Sequence, residues 1–183
     1  MKPTLTRTAL LISALLLSPL AAQAAAPTKA EYAAAKTTIS ADYKAAKAAC
    51  GSLKANAKDI CEEEAEAAEK NARAELEFSA SGKPADAIKV QTVKADGIYE
   101  VAKERCDDLS GNAKDVCNKE AKAAHVAALA AAKSPKASAE DRAEAKEDVN
   151  EAKYKAAAEK CDTLTGDPKT ACIQAAKTAH GQR

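Results

Sequence analysis

The fold is decided by residues 99–117, which read YEVAKERCDDLSGNAKDVC. Two further stretches follow the same pattern: residues 43–61 read YKAAKAACGSLKANAKDIC, and residues 154–172 read YKAAAEKCDTLTGDPKTAC. The shared signature is Y-x6-C-x2-L-x-[GA]-[ND]-x-K-x2-C, and it recurs after 56 and then 55 residues. A signature that is repeated three times at a nearly constant period predicts three copies of one structural unit.

Each unit is predicted to be a pair of helices joined by a tight turn. In the second copy Tyr99, Cys106 and Leu109 recur at helical spacing and therefore form one stripe. Gly111 then tolerates the left-handed conformation that ends helices. Asn112 is expected to be the N-cap of the next helix. The same assignments apply to Asn56, Gly166 and Asp167 in the other copies.

The cysteines are spaced for one disulfide in each unit. They form three pairs whose partners are eleven positions apart: Cys50 and Cys61, Cys106 and Cys117, Cys161 and Cys172. Folding the two helices antiparallel brings the partners to the same height, and facing alanines permit the Cα separation of roughly 4.4–6.8 Å that a disulfide needs. We therefore expect three C-x10-C disulfides, each stabilising its hairpin by about 3 kcal/mol. Zinc-binding or redox-active cysteines are the alternative.

The composition supports an all-α fold with a thin core. Alanine accounts for 49 of the 183 residues, and after the leader only sixteen Ile, Leu and Val, one Phe and four Tyr remain. This is too little bulky apolar surface for one large core, and it excludes an α/β enzyme, a β-sandwich and a multi-span membrane protein. We expect three tandem antiparallel helical hairpins with helical-repeat, coiled-coil-like packing. How the hairpins pack on one another is left open.

Local signals place the boundaries of the copies. Thr28 and Glu31 form a capping box that begins the first helix, and Ser138 and Asp141 form another. Segments rich in Ser, Gly and Pro separate the copies. The predicted repeats are residues 25–82, 83–134 and 135–183. They contain six helices in all, since Ala, Lys and Glu favour helix; most are expected to have about 20–26 residues, and the sixth is expected to be shorter.

Residues 1–24 are predicted to be a cleavable signal peptide. Lys2 and Arg7 precede the apolar run 9–17, and an A-x-A site ends at Ala24. The remaining chain has 26 basic and 27 acidic residues, so its formal charge is −1. This balance gives no reason to expect a nucleic-acid partner or stable membrane insertion after cleavage. We expect a periplasmic or, alternatively, an extracellular protein.

The sequence carries no GxSxG, HExxH or P-loop motif. We therefore expect no catalytic residues, no cofactor and no metal site, and the protein is predicted not to be an enzyme. His125 and His180 each lie eight residues after the second cysteine of their copy. They could be metal ligands or a pH switch, but surface positions beside the hairpin seam are favoured.

Two further sets of residues are open to a functional and a structural interpretation. The first set is an acidic turn, which could bind a cation weakly or could be a solvated helix face. It consists of Glu62, Glu63, Glu64, Glu66 and Glu69. The second set is the repeated tyrosine, at Tyr43, Tyr99 and Tyr154. These rings could form a row that stacks on a ligand, or each could fill the seam between the two helices of its own hairpin. The structural interpretation is favoured for both sets.

Segments such as 30–49 and 119–133 resemble in composition the long helical stalk of TolA, and the chain is similar to exported Ala/Lys/Glu-rich bacterial proteins that are called TolA-like. The resemblance implies a protein of the Gram-negative envelope and assigns no functional residue. The leading hypothesis is a non-catalytic structural or protein-interaction protein that binds another envelope protein. The alternatives are a stress-protective, chaperone-like protein that binds unfolded clients, and a Cys/His metal-binding or redox protein.

Overall fold

The computed structural model describes residues 26–183, so the predicted signal peptide lies outside the described residues. Six α-helices follow one another: α1 (Lys29–Cys50), α2 (Asn56–Ser81), α3 (Pro84–Cys106), α4 (Gly111–Lys133), α5 (Ala139–Lys160) and α6 (Gly166–Ala179). Short 3₁₀ turns follow α4 and α5. The predicted all-α fold is confirmed, and α6, with 14 residues, is the short last helix.

All three disulfides connect the predicted partners. Their Cα–Cα distances are 5.6 Å for Cys50–Cys61, 5.6 Å for Cys106–Cys117 and 5.8 Å for Cys161–Cys172. The first cysteine of each pair is fully buried. Each disulfide joins the end of one helix to the first turns of the next, so it fixes the tip of its hairpin.

The helices pack as an array in which the neighbours in sequence are also the neighbours in space. Every extensive helix–helix contact within residues 26–183 joins consecutive helices; the most extensive is α2 against α3, and the least extensive is α5 against α6. The copies therefore pack on each other as closely as the two helices within a copy. Arrays with this connectivity gain stability from each unit and from each junction between units.

The core of the described residues is built from small side chains. Apart from the first cysteine of each pair and Val90, every buried apolar side chain is an alanine: Ala65, Ala67, Ala74, Ala95, Ala123, Ala132, Ala156 and Ala176. Methyl groups bring little apolar surface out of water, because burial stabilises by roughly 25 cal/mol per Å². The thin core that the composition predicts is therefore present.

Both predicted capping boxes are present. The Thr28 hydroxyl accepts a hydrogen bond from the Glu31 N–H at 3.3 Å, and the Glu31 carboxylate accepts one from the Thr28 N–H at 2.8 Å. Ser138 and Asp141 make the same two contacts at 3.0 and 2.9 Å. These reciprocal bonds satisfy N–H groups that a helix leaves without partners at its start.

The predicted roles of the turn residues are partly wrong. Gly111 and Gly166 have the expected left-handed conformation, with φ of 54° and 62°. They do not end α3 and α5, however, because they lie at the first positions of α4 and α6. The asparagine N-caps are also wrong, since no side-chain hydrogen bond caps α2, α4 or α6.

The asparagines instead connect one copy to the next. Asn56 Nδ2 donates to the backbone carbonyl of Glu104 at 2.7 Å, and Asn112 Nδ2 donates to that of Glu159 at 2.9 Å. Both acceptors lie two residues before the first cysteine of the following copy. They belong to the last turn of a helix, where carbonyls lack the usual partner four residues later. The Glu104 carbonyl also accepts a hydrogen bond from the Asp107 N–H at 3.0 Å.

An ion pair accompanies each of these hydrogen bonds. Glu64 contacts Arg105 and Glu120 contacts Lys160, both at 2.6 Å. Each acid lies three residues after a second cysteine, and each cation lies one residue before the next first cysteine. We call the asparagine hydrogen bond together with this ion pair the joint; one joint connects α2 to α3, and another connects α4 to α5.

A glycine permits the close contact of α2 with α3. Gly97 is buried, and a Cβ built on it would lie 2.8 Å from the Cβ of Ala67. Real Cβ atoms do not approach that closely, so a methyl group can stand on only one of the two helices at this level. The corresponding position on α5 is Ala152, and α4 contacts α5 less extensively than α2 contacts α3.

The backbone conformation of Ala55, in the turn between α1 and α2, indicates a substitution that should stabilise the protein. Ala55 stands where the other copies have Gly111 and Gly166, and it adopts φ 49° and ψ −146°, a conformation that strains an L-residue. Ala55→Gly should raise the free energy of unfolding by about 1 kcal/mol, because the relieved strain exceeds the entropic cost of glycine. Chemical denaturation measures the change. The reciprocal Gly111→Ala should destabilise by a similar amount; a loss of stability from Ala55→Gly would contradict the assignment.

At the contact between α2 and α3, the effect of Gly97→Ala on stability should depend on whether residue 67 is alanine or glycine. Gly97→Ala gains about 1 kcal/mol of helix propensity, but the methyl clash should cost about 1–3 kcal/mol, so the variant should be less stable than wild type. In the Ala67→Gly background the same change should stabilise, because the clash is gone. A thermal-denaturation double-mutant cycle tests this. Stabilisation in both backgrounds would show that Gly97 is not required for the close contact.

Candidate functional site

A groove of about 680 Å³ lies on the face formed by α2, α3 and α4. Its walls and floor consist mainly of small or apolar side chains, which are Ala67, Ala68, Gly97, Ile98, Val101, Ala102, Ala121 and Ala124. The groove extends to the Cys106–Cys117 disulfide, and we call this the upper end of the groove. The disulfide holds the two helices together there. This volume falls within the range of about 300–1,000 Å³ that is usual for binding clefts.

Ile98 is the most exposed large apolar side chain that the structure describes. It lies in the groove and is 70% exposed, although an isoleucine gains about 1.5–3 kcal/mol when it is fully buried. The equivalent residues of the other two copies are Asp42 and Lys153, which are exposed and charged. An apolar residue therefore occurs in one copy at a position where the repeat otherwise has a charge.

Charged residues border the upper end of the groove, and the structure pairs them. Glu64 and Arg105 form one ion pair across α2 and α3, while Glu120 on α4 pairs with Lys160 of α5. Because these groups are already neutralised, the groove presents an apolar interior between polar borders. Asn71 lines the lower part, and its Oδ1 is a buried atom with no hydrogen-bond partner in the protein.

His125 lies inside the seam between α3 and α4, so the favoured prediction of a surface position is wrong for it. Its side chain is only 10% exposed, and its ring stacks on that of Tyr99 with centroids 4.5 Å apart and an angle of 9° between the planes. Nε2 lies 2.6 Å from Asp96 Oδ1, whereas Nδ1 is buried without a partner. A proton on Nε2 is donated to the carboxylate, while one on Nδ1 would be a buried, unpaired donor, which is costly.

Tyr43 and Tyr99 each occupy the seam of their own hairpin. Tyr99 stacks on His125 within its own hairpin, and Lys103 and Lys122 lie 5.4 and 5.3 Å from the centre of its ring. Tyr43 lies between α1 and α2 beside Ala65 and Ala68. Each of these two rings packs between the helices of its own hairpin, which supports the interpretation that the repeated tyrosine fills the hairpin seam.

His180 does not repeat the environment of His125, although the two positions are equivalent. It follows the last residue of α6 as that helix's C-cap and lies beside Lys146, Glu147 and Asn150 of α5. The stack of tyrosine and histidine therefore belongs to the second copy alone among the described residues. The shortness of α6 explains the difference, since the helix ends before this position.

The acidic turn of α2 is largely neutralised by cations. Four of its five glutamates form ion pairs: Glu62 with Lys47, Glu64 with Arg105, Glu66 with Lys70, and Glu69 with Arg73. The Lys47 ammonium lowers the pKa of the Glu62 carboxyl. Partial burial raises the pKa of Glu63, and the nearby carboxylates of Glu66 and Glu100 raise it further. Most of the turn is therefore a paired helix surface.

The cysteines and the remaining polar groups do not supply a metal-binding set. All six cysteines are in disulfides, so none offers the thiolate that a Cys/His metal centre requires. Within residues 26–183 there is no group of three or more His, Cys, Asp or Glu placed to hold a metal ion. The same residues include no helix with the length and apolar character needed to cross a bilayer.

Glu63 predicts a pH-dependent stabilisation. Its raised pKa means that the folded state carries the charge less favourably than the unfolded chain does. Glu63→Gln should therefore raise the melting temperature near neutral pH, and the gain should vanish at about pH 3, where the carboxyl is protonated in both states. Glu62→Gln is the control, since it removes the ion pair with Lys47 that lowers the pKa of the Glu62 carboxyl, and it should not stabilise. A gain for Glu63→Gln that persists at low pH would contradict the electrostatic cause.

The groove was missed by the sequence analysis, although one signal for it was present. Ile98 replaces the charged residues Asp42 and Lys153 of the other copies, and an alignment of the three copies shows this. Gly97, next to it, is a small residue in the middle of a long helix, which is an unfavourable choice unless another backbone approaches closely. Together the two residues mark the face on which α2, α3 and α4 meet.

Comparison of the chain with known proteins found no matching protein-family model, no matching curated protein and no matching solved structure. The resemblance to TolA-like proteins therefore rests on composition and stays a prediction. The described fold is an all-α array of three disulfide-bonded helical hairpins, and the groove on its α2–α3–α4 face is the candidate functional site.

Proposed function

We propose that this protein is a non-catalytic protein-interaction protein of the bacterial cell envelope, which acts in the periplasm and binds a helix of another envelope protein in the α2–α3–α4 groove. The exposure of Ile98 inside that groove carries the proposal. An isoleucine that is left in water within an apolar concavity loses free energy that a partner can recover by covering it.

The shape and chemistry of the groove favour a helix as its occupant. Gly97, Ala67 and Ala121 line it, and such small side chains allow the backbone of a docked helix to come close. The ion pairs at its upper border leave no unpaired charge that a docked apolar face would bury. An amphipathic helix with its apolar stripe on Ile98 fits these features.

The covalent chemistry supports the proposed compartment. Disulfides form and persist in oxidising compartments such as the bacterial periplasm. Three of them hold this fold, and residues 1–24 have the layout of a signal peptide. For an array with an alanine core, oxidation on export is then a condition for stable folding, since each disulfide contributes about 3 kcal/mol.

A chaperone-like function is the second candidate, and a different set of residues favours it. Leu53, Leu109 and Leu164 occupy equivalent positions at the tips of the hairpins, and all three are exposed. Three separated apolar contacts along one edge of an array suit weak binding to several segments of an unfolded chain. In this case no single partner would depend on Ile98.

A charge placed in the groove should abolish binding of the partner. We predict that Ile98→Lys reduces recovery of an envelope protein in pull-downs at least tenfold, because binding would bury an ammonium group without a counter-charge. The melting temperature should hardly change, since exposed substitutions usually alter stability by less than about 0.5 kcal/mol. Quantitative mass spectrometry of the recovered proteins provides the measurement.

The internal repeat supplies the matched control. A photo-crosslinking residue at position 98 should capture one envelope protein, whereas the same residue at position 153, the equivalent site of the third copy, should not. Equal capture at both positions would contradict the groove as the binding site. If Ile98→Lys leaves suppression of client aggregation intact while Leu53→Ser, Leu109→Ser and Leu164→Ser together remove it, the chaperone-like function is favoured.

A further inference from the structure

The joints at the two junctions between copies use the same residue positions, so the two free edges of the array can be compared with them. We call the second helix of a copy its outgoing side and the first helix of a copy its incoming side. A joint needs an asparagine and a glutamate on the outgoing side of one copy, and a helix-end carbonyl and a cation on the incoming side of the next. Within residues 26–183 no helix of another copy packs extensively against the outgoing side of the third copy or against the incoming side of the first copy.

Both free edges lack the joint residues. On the outgoing edge of the third copy, Asp167 stands in place of the asparagine and Ala175 in place of the glutamate. On the incoming edge of the first copy, Ala49 stands in place of the cation, next to the carbonyl of Ala48. Each replacement is exposed, so none of them is required by the packing of its own hairpin.

Asp167 does more than omit a hydrogen bond. An ionised carboxylate only accepts hydrogen bonds, and the joint would place it within about 3 Å of a backbone carbonyl, at the distance seen for Asn56 and Asn112. That carbonyl lies at the C-terminal end of a helix, where the helix dipole is negative. A carboxylate at this position would therefore repel an incoming helix end.

We propose that these replacements keep the outgoing edge of α6 and the incoming edge of α1 from forming a joint with each other, so that a second copy of this chain does not add end to end. The interface concerned is the joint surface itself: the outgoing edge of α6 with Asp167 and Ala175, and the incoming edge of α1 with Ala49. Repeat arrays need atypical terminal units, because otherwise each end offers the surface that its own partner end binds.

Two complementary chains test the proposal. One carries Ala49→Arg and completes the incoming edge; the other carries Asp167→Asn with Ala175→Glu and completes the outgoing edge. We expect the equimolar mixture to form a heterodimer in sedimentation equilibrium, with an affinity at least tenfold higher than the self-association of either chain. A single chain with all three substitutions should form longer, concentration-dependent assemblies. If the mixture and the triple variant keep the mass of the wild type, or if the wild type assembles as the triple variant does, the proposal is overturned.

A measurement within one chain tests the repulsion separately. Asn112→Asp places the residue of the free edge into an internal joint, and Asn112→Ala removes only the hydrogen bond. The aspartate variant should melt at the lower temperature, although aspartate suits the first turn of α4 better than alanine does. An equal or smaller decrease for the aspartate variant would overturn the role of Asp167 as a repelling group.

Discussion

The disulfide at each hairpin tip is the constraint on which the rest of the structure depends. The bond holds two Cα atoms 5.6–5.8 Å apart and thereby fixes the end of one helix against the start of the next. The side chains buried between the helices are mostly alanines. Such a core buries too little apolar surface to hold the hairpins without covalent help.

The joints explain why three stapled hairpins become one array. A disulfide acts within a copy and contributes nothing to the contact between copies. The hydrogen bond from Asn56 to Glu104 and the pair between Glu64 and Arg105 act at that contact, close to the disulfide end. Farther along, Gly97 allows a close approach of α3 to Ala67 of α2, within the most extensive helix–helix contact of the described residues. Covalent closure within copies and polar recognition between copies thus occur at the same end of the molecule.

The sequence predicted the parts of the fold that depend on local signals and on the repeat. The all-α fold of six helices, the disulfide partners and both capping boxes follow from spacing and from residue type, and the described residues confirm them. The role of Asn112 was predicted wrongly, because an asparagine at a helix start looks the same whether it caps its own helix or reaches a neighbour. The burial of His125 and the groove around Ile98 were also missed. Both depend on how three helices meet, and the periodicity of a single helix carries no information about that.

A comparison of the three copies distinguishes residues that hold each hairpin together from residues that differ between copies and are not needed for the hairpin. Positions with the same residue in all copies make contacts within a hairpin: the cysteines do so in every copy, and Lys114 and Lys169 each pair with an aspartate of the preceding helix segment. The second copy departs from its neighbours at Ile98 and Gly97, and it alone stacks a histidine on its tyrosine. Among the described residues it is also the copy with a joint on each side, since Asn56 connects it to the first copy and Asn112 connects it to the third. The proposed binding surface around Ile98 therefore lies on the copy that is joined to both neighbours, and the residues proposed to prevent a further joint lie on the other two copies.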